Sequence, residues 1–241
     1  YFFKDRELTL GMAARAEEAG YTALCLTLDA KISPKRERNI RNDYVGPVSP
    51  NYAHLDLGTH SWKFAADAPA SPSDIRDQAT TWTDLEWLAG QTKMPIVVKG
   101  IMTGADGRAA TDSGAKAIIV SNHGARYLDT TFTTIEVLPE VVEQVDGKAE
   151  VYLDGGIRRG SDIFKALALG ARSVLLGRPL FWGLAVDGEA GVSSMLEILR
   201  DELAATMGMC GRTTVDSIDL DTLGGISPLQ SLFDKRDAGR R

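Results

Sequence analysis

The chain has 241 residues, 44% of them hydrophobic and 25% charged, with 24 glycines, which is ordinary globular composition and enough for one sizeable core. A net charge of -6 and a pI near 5.2 argue against a nucleic-acid binder that works by neutralising phosphates. No apolar run is long enough to span a bilayer, no signal-peptide pattern is visible, and the two cysteines, Cys25 and Cys210, lie far apart without metal-ligand spacing.

Tyr1-Phe-Phe3 reads as the end of a strand. Lys4 to Gly20 carries helical spacing, with Leu8, Leu10, Met12, Ala13, Ala16 and Ala19 apolar and Gly20 as a stop. Tyr21 to Leu28 is an apolar strand in which Cys25 is expected to be a buried, inert thiol, and Asp29 closes it. Residues 30–80 hold Pro34, Pro47, Pro50, Pro69 and Pro72 and read as a long irregular connection, an active-site loop or lid.

From residue 83 a βα rhythm sets in. Thr83 to Gly90 is a helix capped at Thr83 or Asp84, Met94 to Lys99 a strand, and Gly104 to Ser113 a helix. Ala115 to Ser121 is a strand and Thr134 to Gln144 a helix. Ala149 to Asp154 is a strand, Ser161 to Leu169 a helix capped by Ser161, and Ala171 to Leu176 the last strand. Gly188 to Met209 is a long amphipathic helix, and residues 213–241 form a polar tail. Strands alternating with helices at this spacing mean parallel βα units. The fold class is therefore α/β. Six strands against the eight of a (β/α)8 TIM barrel point to a single domain, 1–241, that holds roughly the C-terminal six βα units. An open sheet of six strands leaves two edges bare, so a preceding N-terminal segment or a complementary chain is expected to complete it.

The chemistry collects at strand ends. Ala117-Ile-Ile-Val120 is a wholly apolar run that stops at Ser121, Asn122, His123 and Arg126, with Gly124 allowing a tight turn. A base and a fixed cation at the C-terminal end of a buried parallel strand are where a barrel places its active site. His123 is the candidate general base. Arg126 offers a rigid fork of donors to a carboxylate, although taken alone it would read as a surface ion pair. Lys99 closes an apolar strand and so calls for a nearby anion. Asp154-Gly-Gly-Ile-Arg-Arg-Gly160 and Leu176-Gly-Arg178 follow successive strands and form a two-loop phosphate site. Gly156, Arg158, Gly177 and Arg178 are its candidate contacts.

Ser121-Asn-His-Gly-Ala-Arg-Tyr-Leu-Asp129 resembles the signature of the FMN-dependent L-2-hydroxy acid oxidases and dehydrogenases, the family of glycolate oxidase, lactate oxidase, mandelate dehydrogenase and flavocytochrome b2. The likeness covers nearly the whole chain and is strongest at Thr27 to Asp29, Lys99, Ser121 to Asp129 and Asp154 to Arg178. Several motifs in one order are more specific than any one of them. The resemblance places Tyr1 within the third barrel strand and implies bound FMN, with oxidation of a small 2-hydroxy acid to the 2-oxo acid. Electrons would pass to oxygen, a quinone or a cytochrome. It implies that Asp29 pairs with His123, that Tyr1 and Arg36 join Arg126 and His123 at the substrate, and that Lys99, Thr27 and Ser121 face the flavin ring. Asp154 and Gly155 would lie along the ribityl chain. It also implies a homotetramer or octamer. Apart from the resemblance, the cysteine usage fits a reducing cytoplasm, and Trp62 and Phe64 let the 30–80 loop read as a lid or as a weak membrane contact. The lid reading is preferred because the loop lacks a basic amphipathic pattern. The chain departs from the pattern at Tyr127, where Gln is common, and at Lys35, where Arg is common; catalysis is expected to need neither. Two other readings stay open at this point: another phosphate-binding barrel enzyme, or an inactive barrel fragment with a binding or assembly role.

Overall fold

The structure is a computed structural model that describes residues 1–46, 60–61 and 75–224. Five strands form one parallel sheet in the order β1 (Leu24–Thr27), β4 (Ile96–Ile101), β5 (Ala117–Val120), β6 (Glu150–Asp154) and β7 (Ser173–Leu175). A separate two-stranded ribbon pairs β2 (Val45–Gly46) with β3 (His60–Ser61). The sheet strands alternate with α3 (Trp82–Ala89), α4 (Gly104–Asp112), α5 (Thr134–Val145), α6 (Gly160–Ala168) and α7 (Arg178–Met209), while α1 (Arg6–Glu18) precedes β1 and the short α2 (Glu37–Arg41) follows it. Parallel neighbours joined through helices are the βα units of a barrel arc. Among the described residues, β1 and β7 each have a strand on one side only.

The two faces of the sheet follow from the period-2 alternation of strands. Leu26, Val98, Ile118 and Val151 stand in register and are buried against Leu85, Leu88, Leu138, Val141 and Val145 of the helices. Their neighbours Thr27, Lys99, Ile119 and Tyr152 stand in register on the other face. Cys25 belongs to that second face and is exposed, contrary to the expectation of a buried thiol. It stands on β1, which among the described residues has a strand on one side only, whereas Ile119, on the same face of the central strand β5, is buried.

Other boundaries differ for local reasons. Tyr1–Phe3 does not join the sheet: Phe3 bridges Arg76 antiparallel, Lys4 N–H donates to Ile75 O, and Asp77 N–H donates to Phe2 O. Arg6 clamps this corner, with Nη2 2.8 Å from Asp77 Oδ2 and 2.5 Å from Asp84 Oδ1, and Nη1 donating to Phe3 O at 3.1 Å. The cap of α3 is Thr81, not Thr83 or Asp84; Asp84 is the third helical residue and accepts from the Thr81 N–H at 2.8 Å, a reciprocal box. Helix α6 starts one residue before Ser161, because Asp162 accepts from the backbone N–H groups of Arg158 and Arg159, each at 3.0 Å. Helix α7 begins at Arg178, with Pro179 in its first turn, and bends at Asp187 and Gly188 where the backbone leaves helical values. No helix among the described residues is long and apolar enough to cross a membrane. Much of the 30–80 connection, with Trp62 and Phe64, lies outside the described residues, as do residues 225–241 of the tail.

Candidate active site

The turn after β5 is built to aim one imidazole. Ser121 is fully buried, and its Oγ accepts from His123 N–H at 3.1 Å. Asn122 Oδ1 accepts from Gly124 N–H at 3.0 Å, closing an Asx turn. His123, Gly124 and Ala125 then take φ of 55°, 66° and 57° in succession. Two of these three lack glycine's tolerance for that region, so the surrounding bonds hold a strained backbone, as functional turns often require.

That turn directs His123 toward the end of β1. Its Nδ1 lies 3.0 Å from Asp29 Oδ1, with the two side chains 20% and 15% exposed. A carboxylate bound there fixes the tautomer with the proton on Nδ1 and leaves Nε2 to accept a proton. Asp29 reaches this position because Gly100 makes room. Gly100 has φ +104° in the irregular register between Lys99 and Ile101, and a Cβ there would sit 2.6 Å from Asp29 Cβ.

Lys99 is the second centre. Its Nζ donates to Ser121 Oγ at 2.7 Å and lies 3.3 Å from Asp154 Oδ2. The anion that a strand-end lysine calls for is therefore supplied in the first instance by the protein. The other oxygen, Asp154 Oδ1, is buried with no hydrogen-bond partner among the described residues, and so is Asp29 Oδ2. Buried carboxylate oxygens without donors are uncommon and mark places where a donor is wanted.

The two glycine-containing loops meet this same end of the sheet. A Cβ on Gly155 would lie 3.3 Å from Asn122 Oδ1, and Arg178 Nη2 donates to Gly124 O at 3.5 Å. Asn122, Gly124, Gly155, Gly156, Lys165 and Arg178 share the wall of a cavity of about 340 Å³. Gly156 has φ +77° with open space where a Cβ would be, and Gly177 is also open. Arg158 lies elsewhere: its guanidinium rests 4.9 Å from the Trp182 ring centroid, on a separate cavity beside α7.

Tyr1, Thr27 and Leu28 line a small cleft with Arg76. The Arg76 guanidinium lies 3.7 Å over the Tyr1 ring. Burial, and then the nearby Tyr127, push the Tyr1 phenol above its ordinary pKa. Arg36 is the residue before α2, with its guanidinium 6.0 Å from the Tyr127 ring centroid. Arg126 is exposed, two residues beyond the 124 turn. Sequence reasoning gave no weight to Arg76 or Tyr127. Arg76 sits in an irregular stretch with no periodic signal, and Tyr127 stood out only as a departure from a family pattern.

The description FMN-dependent dehydrogenase fits residues 1–224 as one continuous family match. The chain belongs to this family. It is 48% identical over 229 residues to an L-lactate oxidase of Nostoc sp. (strain PCC 7120 / SAG 25.82 / UTEX 2576), covering 92% of this chain and 62% of that one. It is 44% identical over 225 residues to 2-hydroxyacid oxidase 1 of Homo sapiens, covering 91% and 61%. The fold matches a crystal structure of mandelate oxidase with 3,3-difluoro-2-hydroxy-3-phenylpropionic acid at a TM-score of 0.76 and 38% identity, over 90% of this chain and 60% of that one. This family member thus spans about three fifths of the length of the relatives it matches, and its sheet is part of their α/β barrel. The residues present fit FMN: the buried Asp154 Oδ1 awaits a donor such as a ribityl hydroxyl, Lys99 stands beside it, and the open Gly156 and Gly177 leave backbone accessible to a phosphate.

Proposed function

We propose that this chain carries the base, the substrate clamp and most of the flavin contacts of an enzyme that oxidises a small L-2-hydroxy acid to the 2-oxo acid. The observation that carries the reading is the His123–Asp29 pair at 3.0 Å, on the same end of the sheet as the Lys99–Asp154 pair and the Gly155 and Arg178 loops.

FMN, when bound, supplies the acceptor for the two electrons that leave the substrate C2. The chain's own groups do the rest. Nε2 of His123 takes a proton from the substrate, and the Asp29 carboxylate stabilises the imidazolium that results. Arg126 and Arg36 bind the substrate carboxylate through their guanidinium forks, and the Tyr1 hydroxyl hydrogen-bonds near the substrate hydroxyl. With FMN bound, Lys99 would place positive charge beside the flavin ring, where it would favour electron acceptance, and Thr27 and Ser121 would add hydroxyl contacts. Asp154 and Gly155 bind along the ribityl chain. Gly156, Gly177, Arg158 and Arg178 take the phosphate, which requires Arg158 to leave Trp182. Oxidase relatives favour oxygen as the final acceptor, and quinone or cytochrome acceptors belong to the same chemistry. The proposed assembly is a homotetramer or octamer, completed by an N-terminal segment or complementary chain, in the cytoplasm. Residues 30–80 are proposed as a lid.

The test is anaerobic mixing of the full-length flavoprotein with lactate, glycolate and mandelate, followed by oxygen. Bleaching of the flavin absorbance by at least one acid, and its return with oxygen, is expected. A flavin that none of them reduces overturns the proposal.

A further inference from the structure

The Tyr127 ring lies 4.5 Å from the His123 imidazole, centroid to centroid, with the planes at 62°. Edge-to-face contact of this kind is a favoured aromatic geometry. It matters here because, among the described residues, the imidazole is hydrogen-bonded to protein at Nδ1 alone, on Asp29 Oδ1. A ring tethered at one atom still pivots, since the outer torsion of histidine is broad. A second ring packed against it removes the pivot and fixes where Nε2 points.

Tyr127 is itself held in place. Its hydroxyl accepts from Arg76 Nη1 at 3.4 Å, and the same nitrogen donates to Ala30 O at 3.1 Å. Arg76 lies over the Tyr1 ring at 3.7 Å, and the Arg36 guanidinium stands 6.0 Å from the Tyr127 ring. Groups from four distant stretches, at 1, 36, 76 and 123, therefore converge around one side chain.

We infer that Tyr127 is a positioning residue: its ring holds the His123 imidazole against Asp29 in the orientation for proton removal, and Arg76 holds Tyr127. This rests on the reading of His123 as the base. The ring does the positioning, and the hydroxyl serves as its anchor.

The experiment uses the full-length holoenzyme with histidine labelled at Cε1, the His123 signal being assigned by its loss in His123→Gln. Tyr127→Leu and Tyr127→Met remove the ring; Tyr127→Phe removes only the hydroxyl. In both ring-free variants the His123 signal is expected to lose the ring-current shift it shows in the wild type. The limiting rate of flavin reduction should fall about two- to tenfold, the size of one aromatic contact, with KM within about twofold. Tyr127→Phe keeps the ring and loses the anchor, so it should keep a reduced shift and a rate between those of the wild type and the ring-free variants. An unmoved His123 signal in the ring-free variants, or a moved signal with an unchanged rate, overturns the inference. A wild-type flavin that no 2-hydroxy acid reduces would instead overturn the functional reading, while the imidazole signal still reports on the contact.

Discussion

Replacing Asp29 by Asn tests the charge of the pair. Asn keeps the contact to His123 Nδ1, but it loses the negative charge and, because its amide can donate as well as accept, no longer fixes the tautomer that leaves Nε2 free for a proton. The charge acts when His123 has taken its proton. At the observed 3.0 Å, two unit charges interact by about 5.5 kcal/mol at an effective dielectric constant of roughly 20. The side chains are 20% and 15% exposed, so solvent screens part of this, and about 3 kcal/mol is the working figure. That predicts a fall of at least about a hundredfold in the limiting rate of flavin reduction, the loss of the tautomer adding to the loss of charge, with little change in KM. Stopped-flow mixing with the best acid of the panel measures it, with the thermal melt as a control for folding. Asp29→Ala should be slower still, because orientation is lost as well. If Asp29→Asn reduces its flavin within about threefold of wild type, the carboxylate does not stabilise a charge on His123 and the proposed role of the pair is wrong.

Lys99→Met leaves Asp154 without its cation 3.3 Å away, so FMN affinity should drop by about tenfold or more in a fluorescence titration, and an unchanged affinity would place Lys99 outside the flavin site. Leu138→Ala empties a fully buried position between α5 and the sheet and should cost about 2–5 kcal/mol in denaturant unfolding. Glu136 is held below the ordinary glutamate value, first by the Thr133 hydroxyl and then by the Thr133 N–H, which donates at 2.9 Å. A depressed carboxyl contributes stability above its unfolded pKa and loses it as the pH falls through the folded one. The melting temperature should therefore decline more shallowly below pH 4.5 in Glu136→Gln than in wild type, and parallel acid limbs would refute this.

The βα alternation was legible because each strand is a short apolar run and each helix has a polar face. Ala117–Val120 is buried at every residue and followed by polar side chains, so the candidate site could be located at its end. The site was legible as motifs and not as contacts. Asp29 and His123 are 94 residues apart, and without the family resemblance the aspartate would read as a turn cap. Tyr127 and Arg76 were missed for the same reason: a side chain's partners across the fold leave no periodic trace. Cys25 differs because β1 has a neighbouring strand on one side only among the described residues, and an apolar run in the sequence does not say which strand stands at the end of the sheet. The caps of α3 and α6 moved because Asp84 and Asp162 act from inside the helix, where an acceptor three residues on resembles a cap in its own right.

The space that Gly100 leaves empty ties two strands into one decision. Asp29 and the backbone of β4 compete for the same volume, and only a residue without a side chain lets both stay. Any substituent at 100 would meet the Asp29 side chain at 2.6 and 2.7 Å and its backbone nitrogen at 2.9 Å, in a conformation that strains any L residue, so the aspartate that faces His123 would have to shift together with its strand. The choice of residue at this position is confined by chemistry that belongs to the neighbouring strand.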